Sequence, residues 1–202
     1  MGMAPTPPDG DDGLPAGLHA RGLLIGRFQP FHLGHLHAVR HALSKVDHLL
    51  IGIGSSNRSM EQDNPFTAEE RRGMIQGSLE GQVRERTSTH MIPDLHNHKR
   101  WVEMIQERLP AFDAVFTNDP VTRSLYLQRG TRVYGIPFLD RPALSGTAIR
   151  SSMRSGRPWA HLVPSGTARI IRQLGNRMGN VGGGHGDEPY NATHHTHPPN
   201  YK

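Results

Sequence analysis

Five short apolar runs alternating with helical patterns limit this chain to few folds. The runs "GLLIGRF" (22–28), "HLLIGIG" (48–54), "THMIP" (89–93), "AVFTN" (114–118) and "RVYGIP" (132–137) read as strands. Apolar residues recur at helical spacing at Leu36/Val39/Leu43, at Val102/Ile105/Leu109 and at Ala168/Ile171/Leu174/Met178. "TAEE" (67–70) has the form of a capping box and opens one more helix. Strands this apolar need cover on both faces, and helices between successive strands supply it when the strands run parallel. The expectation is an α/β domain, a parallel sheet with helices on both faces. Ligands of such sheets sit outside the carboxyl ends of the strands, and the first such end carries "GRFQPFHLGH" (26–35).

The domain is expected to span 21–178 of the 202 residues. Residues 1–20 hold four prolines, four glycines and three aspartates with no apolar spacing, and are expected to form a disordered leader. Residues 179–202 read as a disordered Gly/His/Pro-rich tail, whose His185, His194, His195 and His197 are taken as polar filler rather than metal ligands. The absence of cysteine excludes disulfides, thiolate catalysis and cysteine-based zinc or iron–sulfur sites. No window approaches the roughly 18 apolar residues of a membrane span, so no membrane partner is expected and a cytoplasmic location is.

The net charge is +5, and its placement is informative. From position 141 to 186 there are seven arginines and no acidic residue, a pattern that faces an anionic partner or simply water. RNA-binding surfaces interleave aromatic and basic side chains. This segment contains only Trp159, so no nucleic-acid partner is expected.

In "GRFQPFHLGH", His32 and His35 lie three residues apart around Gly34. Paired metal-binding histidines on a helix are usually four apart with an acid nearby, and no carboxylate lies between Leu24 and Lys45. Covalent catalysis lacks a nucleophile, since no cysteine or serine falls within the stretch. A phosphate explains more. Gly34 lets the backbone approach a ligand, the helix start aims N–H groups at it, and two imidazoles and Arg27 add donors.

A strand followed by "GRFQPFHLGH" resembles the H-x-G-H signature of the nucleotidylyltransferase superfamily. "LSGTAIR" (144–150) resembles its second element, I-S-x-T-x-x-R. The blocks "NPFTAEER" (64–71), "IPDLHNHKRW" (92–101) and "SGTAIRSSM" (145–153) narrow the resemblance to the archaeal type of nicotinamide-nucleotide adenylyltransferase. The resemblance implies a Rossmann-like nucleotidylyltransferase fold, a homo-oligomer that is commonly hexameric, and synthesis of NAD from NMN and ATP. It also places Arg27, His32, His35 and Arg150 around the ATP phosphates, with Ser145 and Thr147 beside them. Phe28 and Gln29 would turn backbone groups to the ribose-phosphate side. Asp94 would lie near the nicotinamide carboxamide and Trp101 would stack on the ring. One position departs: Asp63 stands where a basic or neutral residue is expected near the NMN phosphate, and Arg58 is the replacement candidate.

The implied reaction is an in-line displacement. The 5′-phosphate of NMN attacks the α-phosphorus of ATP and pyrophosphate leaves. The nucleophile is already ionised at neutral pH, so no general base is required. Mg²⁺ is expected on the phosphate oxygens, held mainly by substrate and water. The competing expectations are another acceptor on the same fold (nicotinate mononucleotide, FMN or pantetheine phosphate) and a non-catalytic nucleotide- or RNA-binding module.

Overall fold

The computed structural model describes residues 19–140 and 142–175. The leader expected at 1–20 lies outside them apart from its last two residues, and the tail expected at 179–202, with its histidines, lies wholly outside. Chain order is β1 (His19–Gly26), α1 (Leu33–Leu43), β2 (Val46–Ile53), α2 (Ala68–Ser78), α3 (Gly81–Glu85) and β3 (Thr87–Met91). The second half runs α4 (His98–Arg108), β4 (Ala114–Phe116), α5 (Pro120–Leu127), β5 (Arg132–Tyr134), α6 (Gly146–Arg154) and α7 (Ser165–Leu174). The strands form one sheet in the order β3-β2-β1-β4-β5, with every pairing parallel.

Register and pleat explain how these apolar runs bury themselves. Leu23 pairs with Leu50 and with Val115, and all three enter a layer with Val102 and Ile105 of α4 and Tyr126 of α5. Their neighbours Leu24, Ile51 and Phe116 point the other way. There they meet Val39 and Ala42 of α1, Met74 of α2, Ile149 of α6 and Ile171 of α7. The sheet is thus covered on both faces, as its two-sided apolarity requires.

All five expected strands form, and their ends differ from the sequence reading for local reasons. β1 begins at His19, inside the span expected as leader, and ends at Gly26 rather than at residue 28. The chain turns out of the sheet there, with Phe28 at a φ of 51°. A left-handed phenylalanine costs about 1–2 kcal/mol, and its ring, buried in the core, offsets that strain. β4 stops at Phe116 because Asn118 takes over beyond it. Its side-chain amide donates to the Ile136 carbonyl and its side-chain oxygen accepts from the Ile136 N–H, both at 2.8 Å.

The capping box at 67–70 is present in full: the Glu70 N–H donates to Thr67 Oγ1, and the Thr67 N–H donates to the Glu70 carboxylate. Apolar spacing did not predict α5. It starts from an Asp119 cap with Pro120 in its first turn, a start signal legible in "NDPVT".

Candidate active site

Strands 2 and 3 lie on one side of β1 and strands 4 and 5 on the other, so the connections diverge between β1 and β4. A crevice opens at the carboxyl ends of strands at such a point. The segment from Arg27 to His32 leaves β1 there and enters α1, whose N-cap is His32.

The two imidazoles are stacked, with ring centroids 3.6 Å apart. His35 also lies edge-on to Phe28 at 4.9 Å and stacks on Phe31 at 5.7 Å. The His32 backbone N–H donates to His35 Nδ1 at 3.3 Å. A neutral His35 must then carry its proton on Nε2, which makes Nε2 a donor. His32 is buried, and its Nδ1 has no hydrogen-bond partner. Burial drives both rings toward the neutral form. It pushes His32 down to about 4 and His35 well below its ordinary value, with His32 as a further, smaller cause for the latter. Neutral imidazoles each retain one N–H, which suits phosphate binding without proton transfer.

A stability consequence follows. An unfolded imidazole takes a proton below about 6.5, whereas folded His32 does so only near 4. Across that window the unfolded chain binds more protons, so stability falls as pH drops. His32→Gln is expected to flatten this decline, read from urea midpoints at about pH 5 and about pH 7.

Gly34 has a steric role beyond the one expected from sequence. A Cβ there would lie 3.1 Å from His32 Nδ1 and 3.2 Å from its Cε1. The glycine makes room for the His32 ring itself.

Arg150, on α6, is delivered to this spot across 121 positions of sequence. Its Nη1 donates to the Gln29 carbonyl at 2.9 Å, and its Nη2 donates to Asp63 Oδ1 at 2.9 Å and Thr147 Oγ1 at 3.4 Å. Ser145 Oγ caps α6 by accepting from the Ala148 N–H at 3.2 Å, which leaves its own O–H available to a ligand. Arg27 is exposed, close enough to Arg150 and to Arg71 to repel both. Gln29 works with its side chain as well as its backbone. Its amide donates to the Phe66 carbonyl and accepts from the Phe66 N–H, tying the loop before α2 to the β1 end.

The residues expected on the nicotinamide side form a neighbouring group. Trp101 lies in the first turns of α4, and its indole N–H donates to the Pro93 carbonyl at 3.1 Å. That bond anchors the ring beside the Pro93–Asp94 peptide. Asp94 accepts from Ser55 Oγ at 3.0 Å, and its N–H donates to Asn57. Arg58 pairs with Glu61 at 2.6 Å and stays exposed, within electrostatic reach of Asp94 and Asp63. The structure therefore brings Arg27, His32, His35, Ser145, Thr147 and Arg150 together around the carboxyl end of β1, sets Asp94 and Trp101 together, and holds Arg58 on the loop after β2.

A family model described as cytidylyltransferase-like matches residues 23–152. The nicotinamide-nucleotide adenylyltransferase of Thermoplasma acidophilum is 41% identical over 157 residues, covering 76% of this chain and 86% of the relative. The enzyme of the same name from Archaeoglobus fulgidus is 38% identical, over 76% of this chain and 91% of the relative. The chain belongs to the nicotinamide-nucleotide adenylyltransferases. The fold is also that of a bifunctional NMN adenylyltransferase/ADP ribose pyrophosphatase from Francisella tularensis. That structure is 20% identical with a TM-score of 0.66, and the match covers 78% of this chain and 50% of that one. A second structure of that protein, complexed with AMP and a manganese ion, has a TM-score of 0.63 at 20% identity, covering 78% of this chain and 49% of that one.

Sequence reasoning missed two residues in this adenylyltransferase. Arg71 lay in plain view within "NPFTAEER". It is fully buried and binds carbonyls from three places: Arg27, Gly54 with Ser55, and Thr67. Gly146 is the other. A Cβ at that position would stand 2.9 Å from the Gln29 oxygen and 3.0 Å from Arg150 Nη1, inside the bond that seats Arg150. Gly146→Ala is expected to displace Arg150 and lower kcat/KM for ATP by about tenfold or more, with a stability loss of about 1–3 kcal/mol. Steady-state kinetics alongside urea unfolding checks both.

Proposed function

We infer that this chain transfers the adenylyl group of ATP to NMN, giving NAD and pyrophosphate. The observation that carries the reading is a set of N–H donors at the carboxyl end of β1, joined there by Arg150 from α6, in a chain of this family. An NMN 5′-phosphate oxygen forms a bond to the α-phosphorus as the bond to the pyrophosphate oxygen breaks. The leaving pyrophosphate carries away the electron pair, and no proton has to move for the step to proceed. The task left to the protein is positioning and stabilisation of charge on the transferring and leaving phosphates.

In this reading Arg27, His32, His35 and Arg150 hold the triphosphate, with Ser145 and Thr147 donating at the start of α6. Gly34 and the α1 N-terminus bring N–H groups close, and Phe28 and Gln29 line the turn. Trp101 offers a face to the cationic pyridinium ring, and Asp94 accepts from the carboxamide. An acceptor carboxylate at Asp94 would repel the carboxylate of nicotinate mononucleotide, so NMN is the preferred substrate. Arg58 is proposed for the NMN phosphate.

Among the described residues no three His, Asp or Glu side chains gather closely enough to hold a metal ion. These donors do not fit a resident metal, and Mg²⁺ is proposed to enter with ATP as part of the substrate. No described helix is long and apolar enough to cross a membrane. A cytoplasmic location is proposed because both substrates are highly charged nucleotides. Assembly into a homo-oligomer, up to a hexamer, is likewise a proposal, supported by the edge strand β3, which is half-exposed along its length.

The test is NAD formation from ATP and NMN with Mg²⁺, with nicotinate mononucleotide run in parallel. Pyrophosphate release coupled to NAD, faster with NMN, is the expected result. No product with any pyridine acceptor would reject the reading.

A further inference from the structure

Asp63, out of place by the family pattern, has a definite partner in the fold. Its Oδ1 accepts from Arg150 Nη2 at 2.9 Å. The two side chains differ sharply in exposure: 3% for Arg150 against 70% for Asp63. The charged partner of a buried guanidinium is therefore an open loop residue. The same loop is pinned to α6 once more, where Arg154 Nη1 donates to the Gln62 carbonyl at 3.3 Å. Its other polar side chains close on one another, with Arg58 and the Asn64 amide both donating to Glu61. Arg150 Nε remains buried with no acceptor, so the carboxylate satisfies the guanidinium only in part.

A carboxylate oxygen and a phosphate oxygen are interchangeable acceptors for a guanidinium N–H, and both carry negative charge. They cannot share Arg150 Nη2 without strong repulsion, and the triphosphate offers more oxygens and more charge than one aspartate. We propose that Asp63 is an internal anion that holds Arg150 in the empty site and is exchanged for a phosphate of ATP on binding. The proposal rests on ATP being the substrate. Without ATP, the pair keeps a desolvated cation charge-paired and aimed between Gln29 and Thr147. With ATP, Asp63 releases Arg150, while Arg154 still donates to the Gln62 carbonyl and keeps the 58–64 loop, with Arg58, beside the site. When pyrophosphate dissociates, Asp63 returns, which favours emptying the site. The interaction thus lowers ATP affinity while keeping Arg150 ready.

The experiment is calorimetric titration of the full chain with pyrophosphate, and with ATP in the presence and absence of Mg²⁺, for the parent, Asp63→Asn and Asp63→Glu. Asp63→Asn is expected to bind both ligands about fivefold tighter, the scale of a partly exposed ion pair. KM for ATP should fall by a similar factor, and Asp63→Glu should stay near the parent. In thermal melts, ATP should raise the Tm of Asp63→Asn by more than it raises that of the parent, because only the empty state has lost a partner. Unchanged affinity in Asp63→Asn would overturn the proposal, since the carboxylate would then not compete. Weaker affinity confined to the Mg²⁺ arm would overturn it too, making Asp63 a metal-facing residue. A parent that makes NAD while Asp63→Asn binds no tighter defeats the exchange alone. A parent that binds ATP but makes no NAD defeats the functional reading, and the titrations still judge the exchange.

Discussion

Replacing His35 with alanine is expected to lower kcat for NAD formation by about 10²–10³-fold while KM for NMN changes little. The expectation comes from which nitrogen of the ring is committed. Nδ1 accepts from the His32 N–H at 3.3 Å, so the proton of the neutral ring sits on Nε2. Burial keeps that ring neutral, with its pKa held well below the usual histidine range. Its orientation is fixed by stacking on His32 and by the rings of Phe28 and Phe31. A donor fixed before the reaction loses nothing to reorganisation when charge builds on the leaving phosphates, which is why one such donor is worth about 3–4 kcal/mol. His35→Gln retains an amide N–H at a similar reach and should recover part of the loss. Near-normal single-turnover chemistry in the alanine variant would remove His35 from the reacting centre.

Arg71→Met is expected to lower the free energy of unfolding by about 3–5 kcal/mol. The guanidinium is fully buried between β1, β2 and α2. It donates to the carbonyls of Arg27 at 2.7 Å, Gly54 at 2.6 Å, Ser55 at 3.1 Å and Thr67 at 3.2 Å. Methionine fills most of the volume and supplies no donor, so carbonyls at two strand ends lose their partner at once. Burial pushes Arg71 down to about 10, with nearby Arg27 contributing and Asp94 opposing, so it remains charged at neutral pH. Arg71→Lys keeps the charge without the planar fork that reaches both strands, and should lose about half as much. Urea unfolding measures both. A loss below about 1 kcal/mol in Arg71→Met would mean that water replaces the guanidinium at these carbonyls.

The contrast between Arg71 and His35 shows what a sequence makes legible and what it hides. His32 and His35 are three residues apart at the end of an apolar strand, so one local stretch displays the donors and the helix that presents them. Arg71 sits in a helix beside Glu69, Glu70 and Arg72, and in one dimension it looks like any solvated charge. Only the crossing of α2 over two strand ends buries it. Asp63 makes the same point. As a letter it was a departure from the family pattern, and as a side chain it is the counter-ion of Arg150.

By itself, then, the sequence determined the strands, most of the helices, the parallel sheet covered on two faces, and the strand-to-helix turn that carries His32 and His35. These are readable because strand and helix periods, caps and short motifs are short-range features, set by residues two to four apart. Tertiary structure alone decided the order β3-β2-β1-β4-β5, the seating of Arg150 on a carbonyl 121 residues away, its pairing with Asp63 and the burial of Arg71. Each of these depends on how crossovers stack the strands, and a charged side chain carries no mark in sequence of whether water or a buried carbonyl will receive it.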